Sequence, residues 1–382
     1  MSLHLDTPSL ETYFNAQQNK YGFVELNRRH GNVQLPKIEL INVKEKHKKK
    51  EMSGHFSDRL LKLIQEALDE KEQVILFQNR RGFSPVVECK TCGVSPECPN
   101  CDVTLTYHKF KHELRCHYCN YQRAMPNSCG ACGSNTLDTK GFGTEQIELE
   151  LKALFPDFKI GRMDLDTTRG KNGYQKIIGA FEAKEIDVLV GTQMLSKGLD
   201  FENVSLVGIL NADTMLNFPD FRAHERGYDM MVQVSGRAGR SKKQGNVAIQ
   251  TYNPYHQILQ QVSTTNYTEM YKEQLQERWQ YKYPPYYRVI KITLKHKDYT
   301  KVDTGVNWLF KALHSSFGEN VLGPTAPAVS RIRNQYIKNI VIKIPPKQNL
   351  ANTKNQITKI RNTFEAVKDF RPIRFIIDVD AY

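Results

Sequence analysis

The chain has 382 residues, 40% hydrophobic and 10% aromatic, which excludes a disordered protein and leaves room for two or three domains. Its longest apolar runs, such as 204–210, fall far short of the roughly 18 to 20 residues a membrane span needs, and no secretory leader opens it, so we expect a soluble cytoplasmic protein with no membrane partner. Fifty-four Lys and Arg against 41 Asp and Glu give a formal charge of +13, which favours a polyanionic partner without naming one.

In chain order, 37–43 alternates like an edge strand and runs into Lys44, Lys46, Lys48, Lys49 and Lys50. Such a charge run is either a solvated loop or a track for DNA. Ser57 is predicted to cap a helix with Leu60, Leu61, Ile64, Ala67 and Leu68 on one face, followed by a buried strand over 74–77.

All eight cysteines then fall between Cys89 and Cys132, as four C-x-x-C pairs: Cys89/Cys92, Cys98/Cys101, Cys116/Cys119 and Cys129/Cys132. Two residues between thiolates is the spacing of a zinc knuckle, so four knuckles predict two four-cysteine sites and two Zn2+ per chain. A disulfide framework is disfavoured because nothing else in the chain is secretory, and a thioredoxin-like motif needs one pair opening a helix. Five residues separate the first two pairs and fourteen the inner two, so loop closure favours nested pairing and leaves an interleaved arrangement open. Two loaded sites lower the net charge to about +9, with Lys90, Lys109, Lys111, Arg115 and Arg123 nearby to screen the thiolates. His108, His112 and His117 read as spare imidazoles outside the ligand set.

Beyond the cysteines, Thr144 is expected to cap a helix bearing Ile147, Leu151 and Leu154. Strands follow at 159–164, 187–191, 204–210 and 246–251, alternating with helices at 174–181 and 222–234. Apolar strands alternating with helices predict a parallel sheet covered on both faces. An amphipathic helix at 267–281 stops at Pro284-Pro285. Strands at 289–294, 337–344 and 373–379 with helices at 306–317 and 354–367 then predict a small α+β domain of split β-α-β type. Arg331, Arg333, Tyr336 and Lys338 are a candidate DNA-binding patch on it.

Two constellations carry chemistry. Gln233-Val234-Ser235-Gly236-Arg237-Ala238-Gly239-Arg240 sets two arginines three apart, which on a helix puts both guanidinium groups on one face for phosphate oxygens, with Gln233 beside them. Its two glycines suggest close backbone approach rather than an ordinary basic helix end. Gly191-Thr192-Gln193-Met194 precedes Lys197-Gly198-Leu199-Asp200 at a strand's carboxyl end, where open α/β sheets bind ligands. There Thr192 and Lys197 suit a phosphate backbone and Asp200 a ribose hydroxyl.

The two constellations look like the last motifs of superfamily-two helicases. With Phe77-Gln78-Asn79-Arg80-Arg81-Gly82-Phe83 before the cysteines and Gly141-Phe142-Gly143-Thr144-Glu145 after them, the chain resembles the bacterial replication-restart helicase family of primosomal protein N′. Asn211-Ala212-Asp213, Pro219 to Ala223, Glu225-Arg226, Leu322-Gly323-Pro324 and Asp378-Val379-Asp380 are similar to it too. The resemblance implies an ATP-dependent 3′ to 5′ DNA helicase, with ATP and Mg2+, that reloads the replicative helicase at stalled forks. Its implied partners are forked and single-stranded DNA, single-stranded-DNA-binding protein and other primosome proteins. Arg237 and Arg240 would reach ATP with Gln233 in support, Gly198 and Asp200 would border the nucleotide, and Thr192, Gln193, Lys197, Arg80 and Arg81 would face DNA. Nested pairing is implied, with Cys89, Cys92, Cys129 and Cys132 on one ion and Cys98, Cys101, Cys116 and Cys119 on the other.

The expected layout is 1–52 as the tail of helicase lobe 1 and connection, 53–88 with 137–262 as a RecA-like lobe 2, 89–136 as a zinc insertion, 263–285 as a linker helix and 286–382 as the C-terminal α+β domain. The sequence holds no G-x-x-x-x-G-K-[ST] phosphate loop. Thr7-Pro8-Ser9-Leu10-Glu11 looks like the end of the missing lobe's last motif, with Asp6 where the family has a small residue. The chain is therefore expected to be a C-terminal fragment, inactive alone, with Met1-Ser2-Leu3 appended. The alternative functions are a non-catalytic zinc and DNA-binding scaffold and a repair or recombination motor of the same superfamily.

Overall fold

The computed structural model describes residues 7–25, 34–79, 86–108, 112–140, 143–168, 170, 172–195, 201–239 and 243–380. The chain divides into two compact units, Met1–Ser84 with Phe142–Leu275, and Pro85–Gly141 with Gln276–Tyr382.

In the first unit, four of the six strands are short, mostly apolar segments buried on both faces, the pattern a parallel sheet requires, while the strands at its two edges are only partly buried. The sheet order is Lys37–Asn42, Asn246–Thr251, Val204–Ile209, Gln73–Phe77, Val188–Gly191, Ile160–Met163, and every neighbouring pair is parallel. Alternate residues of one strand serve opposite cores. Ile75 and Phe77 join Leu189, Val207, Ile249, Tyr228, Met231 and Val234 on one face. Val74 and Leu76 join Val188, Val190, Leu206, Leu60, Ile64, Ile147 and Leu151 on the other. The strand Lys37–Asn42, which sequence grouped with the connection, completes this sheet's edge beside Asn246–Thr251.

Ser57 caps the Asp58–Asp69 helix through its hydroxyl, which accepts from Leu60 N at 3.2 Å. Thr144 does not cap the next helix. Gly143 holds the N-cap of Thr144–Leu154, and the Thr144 hydroxyl instead donates to Asp164 Oδ2 at 2.5 Å. Burial alone would raise the Asp164 carboxyl, but that bond, the Thr167 N–H and the Arg162 charge outweigh it and hold the group low. The lysine run forms the short helix Val43–Lys48, in which Lys46 pairs with both Glu51 and Asp58 at 2.7 Å.

The segment Thr7 to Glu11 is built into the same unit. Ser9 caps the Leu10–Gln17 helix, Leu10 is fully buried, and its N–H donates to Glu225 Oε1 at 2.8 Å. Glu11 meets Arg222 at 3.1 Å, and the Tyr267 hydroxyl donates to Pro8 O at 2.7 Å. Helix Ala223–Ser235 thereby presents Glu225 and Asp229 one turn apart. Burial first, and the Glu225 charge second, push the Asp229 carboxyl up to about 8, against a bond with Thr7 that lowers it.

The second unit holds two folded parts. A five-stranded antiparallel sheet carries the cysteines, in the order Gln122–Ala124, Glu113–Arg115, Thr106–His108, Val86–Cys89, Leu137–Lys140. Its entry and exit strands pair from Val86 with Lys140 to Cys89 with Leu137. The other part runs β-α-β-β-α-β, with an antiparallel sheet ordered Val321–Thr325, Gln335–Ile344, Arg288–His296, Arg374–Val379. Helices Tyr299–Phe317 and Leu350–Ala366 contribute Val306, Leu309, Leu313, Ile357 and Phe364 to its core. Sheet and helices thus segregate in the split β-α-β manner.

An acid whose folded pKa is raised adds stability below its unfolded value, and that stability drains away as pH climbs to the folded value. The Asp229 contribution is therefore full below about pH 4 and lost by about pH 8. Asp229→Asn should raise the thermal midpoint, by more at about pH 8 than at about pH 5. Equal gains at both pH values would show that Asp229 is not the titrating group.

Candidate functional site

The eight sulfurs gather into two groups, Cys89 with Cys92, Cys129 and Cys132, and Cys98 with Cys101, Cys116 and Cys119; within each group the sulfurs lie within 4.8 Å of one another. The outer pairs enclose the inner pairs along the chain, so the grouping is nested. Closest approaches are 3.6 Å for Cys89 to Cys132 and for Cys92 to Cys129, and 3.5 Å for Cys98 to Cys119. Both groups contain cysteine alone among the described residues. His108 and His117 face each other with ring centroids 5.3 Å apart, and His112 meets the Tyr107 hydroxyl at 2.7 Å.

Knuckle geometry explains why these segments fold this way. In each, the first Cys N–H donates five residues ahead: Cys89 to Val94, Cys98 to Val103, Cys116 to Tyr121 and Cys129 to Ser134. In three of them the residue after the second Cys turns back and donates to the first Cys carbonyl: Gly93 at 2.8 Å, Asn120 at 3.0 Å and Gly133 at 2.8 Å. All three have positive φ, of 72°, 63° and 74°, a conformation that Gly and Asn adopt most readily.

The donor chemistry fits a soft divalent cation. Crowded thiols titrate apart, because a second thiolate beside the first is repelled. The Cys92 backbone N–H leads in drawing Cys89 down to about 6, while burial first and the neighbouring sulfurs second push Cys98 up to about 12. A divalent metal removes that repulsion and accepts four thiolates, as zinc does in structural sites.

Of the residues expected to serve nucleotide and DNA, the described ones fall at two ends of the first unit's sheet. Thr192 and Gln193 follow the carboxyl end of Val188–Gly191. Thr192 is buried, and Gln193 Nε2 reaches Asn79 Oδ1 at 3.5 Å. Gln78 donates its backbone N–H to Gly191 O at 2.9 Å. Its side chain is buried, with neither amide atom hydrogen-bonded among the described residues. Gln78 lies in the 77–83 motif without a role assigned from sequence; a polar residue directly after an apolar strand is the signal that marks it.

Arg237 lies at the other end, and not on a helix. The Ala223–Ser235 helix ends before it, with Gly236 as C-cap, so helical spacing does not set the Arg237 direction and only Gln233 is helical. Gly239 N donates to Val204 O at 2.9 Å, at the amino end of that strand, about 17 Å along the sheet from Thr192 by strand rise. Gly239 has φ +74, and a Cβ there would stand 2.2 Å from Gly245 N. Gly236 has φ −64 and room for a Cβ. Arg80, Arg81, Lys197, Gly198, Asp200 and Arg240 lie outside the described residues.

The proposed C-terminal DNA patch is otherwise engaged. Arg331 pairs with Asp102 at 2.8 Å, and Arg333 Nε donates to Tyr118 O at 3.1 Å. Tyr336 packs edge-on to Tyr299 at 5.4 Å, and Lys338 meets Asp303 at 3.4 Å. Two of the four residues therefore face the cysteine part of their own unit.

A parallel sheet of this order with a cysteine-rich metal ribbon between two of its elements defines a RecA-like helicase lobe of unusual kind. Family models agree: the helicase conserved C-terminal domain matches residues 138–242, the PriA DNA helicase Cys-rich region 98–123, and the primosomal protein N C-terminal domain 280–382. The chain belongs to the PriA family. It is 36% identical to replication restart protein PriA of Bacillus subtilis over 98% of this chain and 46% of that protein. The figures are 35%, 98% and 45% for the Synechocystis protein, and 36%, 98% and 50% for that of Haemophilus influenzae. The chain thus spans about half the length of the relatives it matches.

Gly239→Ala should cost about 1 to 3 kcal/mol, since it adds backbone strain and a clash with Gly245, whereas Gly236→Ala should be near neutral. Chemical denaturation midpoints of the two variants check this; equal shifts would remove the special role given to Gly239.

Proposed function

We propose that this chain supplies the second motor lobe, metal module and C-terminal domain of an ATP-driven 3′ to 5′ DNA helicase that acts on forked and single-stranded DNA at replication restart. The observation that carries the reading is the nested pair of four-cysteine groups set between the Gln73–Phe77 strand and the Thr144–Leu154 helix of a RecA-like lobe. Each group would hold one zinc ion, which cross-links its knuckles and supplies no reacting group.

Arg237 and Arg240 would stabilise charge on the transferring phosphoryl group, with Gln233 in support, and Gly198 and Asp200 would border the nucleotide. Thr192 and Gln193, at the opposite end of the sheet, would meet DNA together with Gln78, and Lys197, Arg80 and Arg81 would add to that contact. That separation suits a motor that holds DNA and nucleotide at opposite ends of one sheet. Single-stranded-DNA-binding protein, primosome proteins and the replicative helicase are the proposed partners. Because a phosphate loop is needed for turnover and this sequence has none, the chain alone is proposed to be inactive.

Metal analysis of the purified chain should find two zinc ions, and one in Cys116→Ser; no bound metal in the reduced wild-type chain would overturn the cross-link reading. The activity test joins the chain to a phosphate-loop lobe of the same family and measures ATPase and forked-DNA unwinding. Arg240→Ala should lower ATP turnover on the order of a thousandfold, and Cys116→Ser should lose unwinding while keeping DNA-stimulated ATPase. DNA-stimulated ATPase by the 382-residue chain alone would refute the division of labour.

A further inference from the structure

One of the four knuckles is not closed by its own turn. In the Cys98–Cys101 knuckle the residue after the second Cys is Asp102, not Gly or Asn, and its N–H donates to Arg331 O at 3.0 Å instead of to the Cys98 carbonyl. The partner is a residue of the C-terminal domain, more than two hundred positions away.

The same hairpin completes the surroundings of the inner sulfurs. Cys98 accepts from Asn100 N at 3.4 Å and Cys119 from Tyr121 N at 3.4 Å, both within the cysteine module. Cys101 accepts from Arg333 N at 3.3 Å. Asn334 binds Asn100 twice, through its N–H at 2.8 Å and its side-chain amide at 3.0 Å. Ser330 Oγ and Arg331 Nε both donate to the Asp102 carboxylate, at 2.7 and 2.8 Å. Arg331 also reaches Pro99 O at 3.2 Å. Ile332, between these polar contacts, packs on the apolar cluster of Val87, Cys98, Cys101, Leu105, Leu114 and Cys116. Arg333 and Asn334 hold positive φ of 53° and 58° as the two-residue turn between paired Ile332 and Gln335, a conformation Asn adopts more readily than Arg.

We infer that the Ser330–Asn334 hairpin is the outer wall of the inner metal site, so that metal held by Cys98, Cys101, Cys116 and Cys119 and docking of the C-terminal domain on the cysteine module stabilise each other. The inference rests on the reading that the inner group holds a metal ion. Four thiolates on a divalent ion leave a net negative charge, which backbone N–H donors and two guanidinium groups offset. Without the metal, the sulfurs lose the fixed positions that the Arg333 N–H meets. The Arg331–Asp102 pair is partly exposed and contributes little alone. The coupling comes from the convergence of backbone, carboxylate and apolar contacts on one knuckle. Among the described residues, the outer group shows no contact of this kind from the C-terminal domain.

The test loads the 382-residue chain with zinc and follows its release to a chromogenic chelator. Arg331→Ala combined with Asn334→Ala should release one of the two ions about 10 to 100 times faster and leave the other at the wild-type rate. In a Cys92→Ser background, which leaves the inner ion as the one measured, the same acceleration should persist. The reciprocal arm reads hydrogen exchange at amides 331–337: Cys98→Ser should speed it about tenfold or more, and Cys92→Ser should not. Unchanged release of both ions, equal acceleration of both, or exchange indifferent to Cys98→Ser would each overturn the coupling. A wild-type chain that binds no metal at the inner group would overturn the metal reading instead.

Discussion

A part as small as the cysteine module cannot hold itself together by burial. Its apolar core is Val87, Leu105 and Leu114 with the buried sulfurs of Cys98, Cys101 and Cys116 around them, and each such side chain contributes only about 1.5 to 3 kcal/mol when fully buried. Ordering one residue costs about 1 to 2 kcal/mol in backbone freedom alone. Cross-links must make up the difference, as they do in other small folds. Four short-range knuckles grouped in nested pairs would, with a metal in each group, close two loops of different length, and the strands they join are short.

The motor lobe solves the same problem by the opposite means. Its central strand, Gln73–Phe77, is buried along its whole length and feeds two separate cores through alternate side chains. No cross-link is needed where a sheet is covered on both sides. The polar groups this lobe takes wholly or partly from water, such as buried Gln78 and half-buried Asp229, stand out for that reason. An unpaired buried amide or a carboxyl shut away from water is costly, and such costs collect where a surface has work other than folding.

How far the sequence could be read follows from the range of the interactions concerned. Strands of consecutive Val, Ile and Leu were legible because burial on both faces leaves no polar alternation. The cysteine spacings were legible because a knuckle is a local object. The helix over 222–234 was legible and ends one residue later, at Ser235; what failed was carrying its spacing on to Arg237, because Gly236, which fits a helix and a C-cap equally well, here ends the helix. Thr144 has a capping hydroxyl, but Asp164, twenty residues on, claims it. Arg331 and Arg333 read as DNA contacts because basic residues interleaved with an aromatic suit nucleic acid. Their partners, Asp102 and Tyr118, lie 229 and 215 residues upstream, and no periodicity reports a contact of that span.

The pairing of Val86–Cys89 with Leu137–Lys140 puts the start and finish of the cysteine module on adjacent strands, roughly 5 Å apart by ordinary strand spacing. A segment whose two ends already lie side by side imposes almost no closure constraint on the chain it interrupts, since that cost depends on end separation and rises only slowly with length. The lobe therefore encounters some fifty inserted residues much as it would encounter a tight hairpin. Such an insertion can change in size or fold while the strand before it and the helix after it keep their register, so the module is free to vary at a different pace from the motor that carries it.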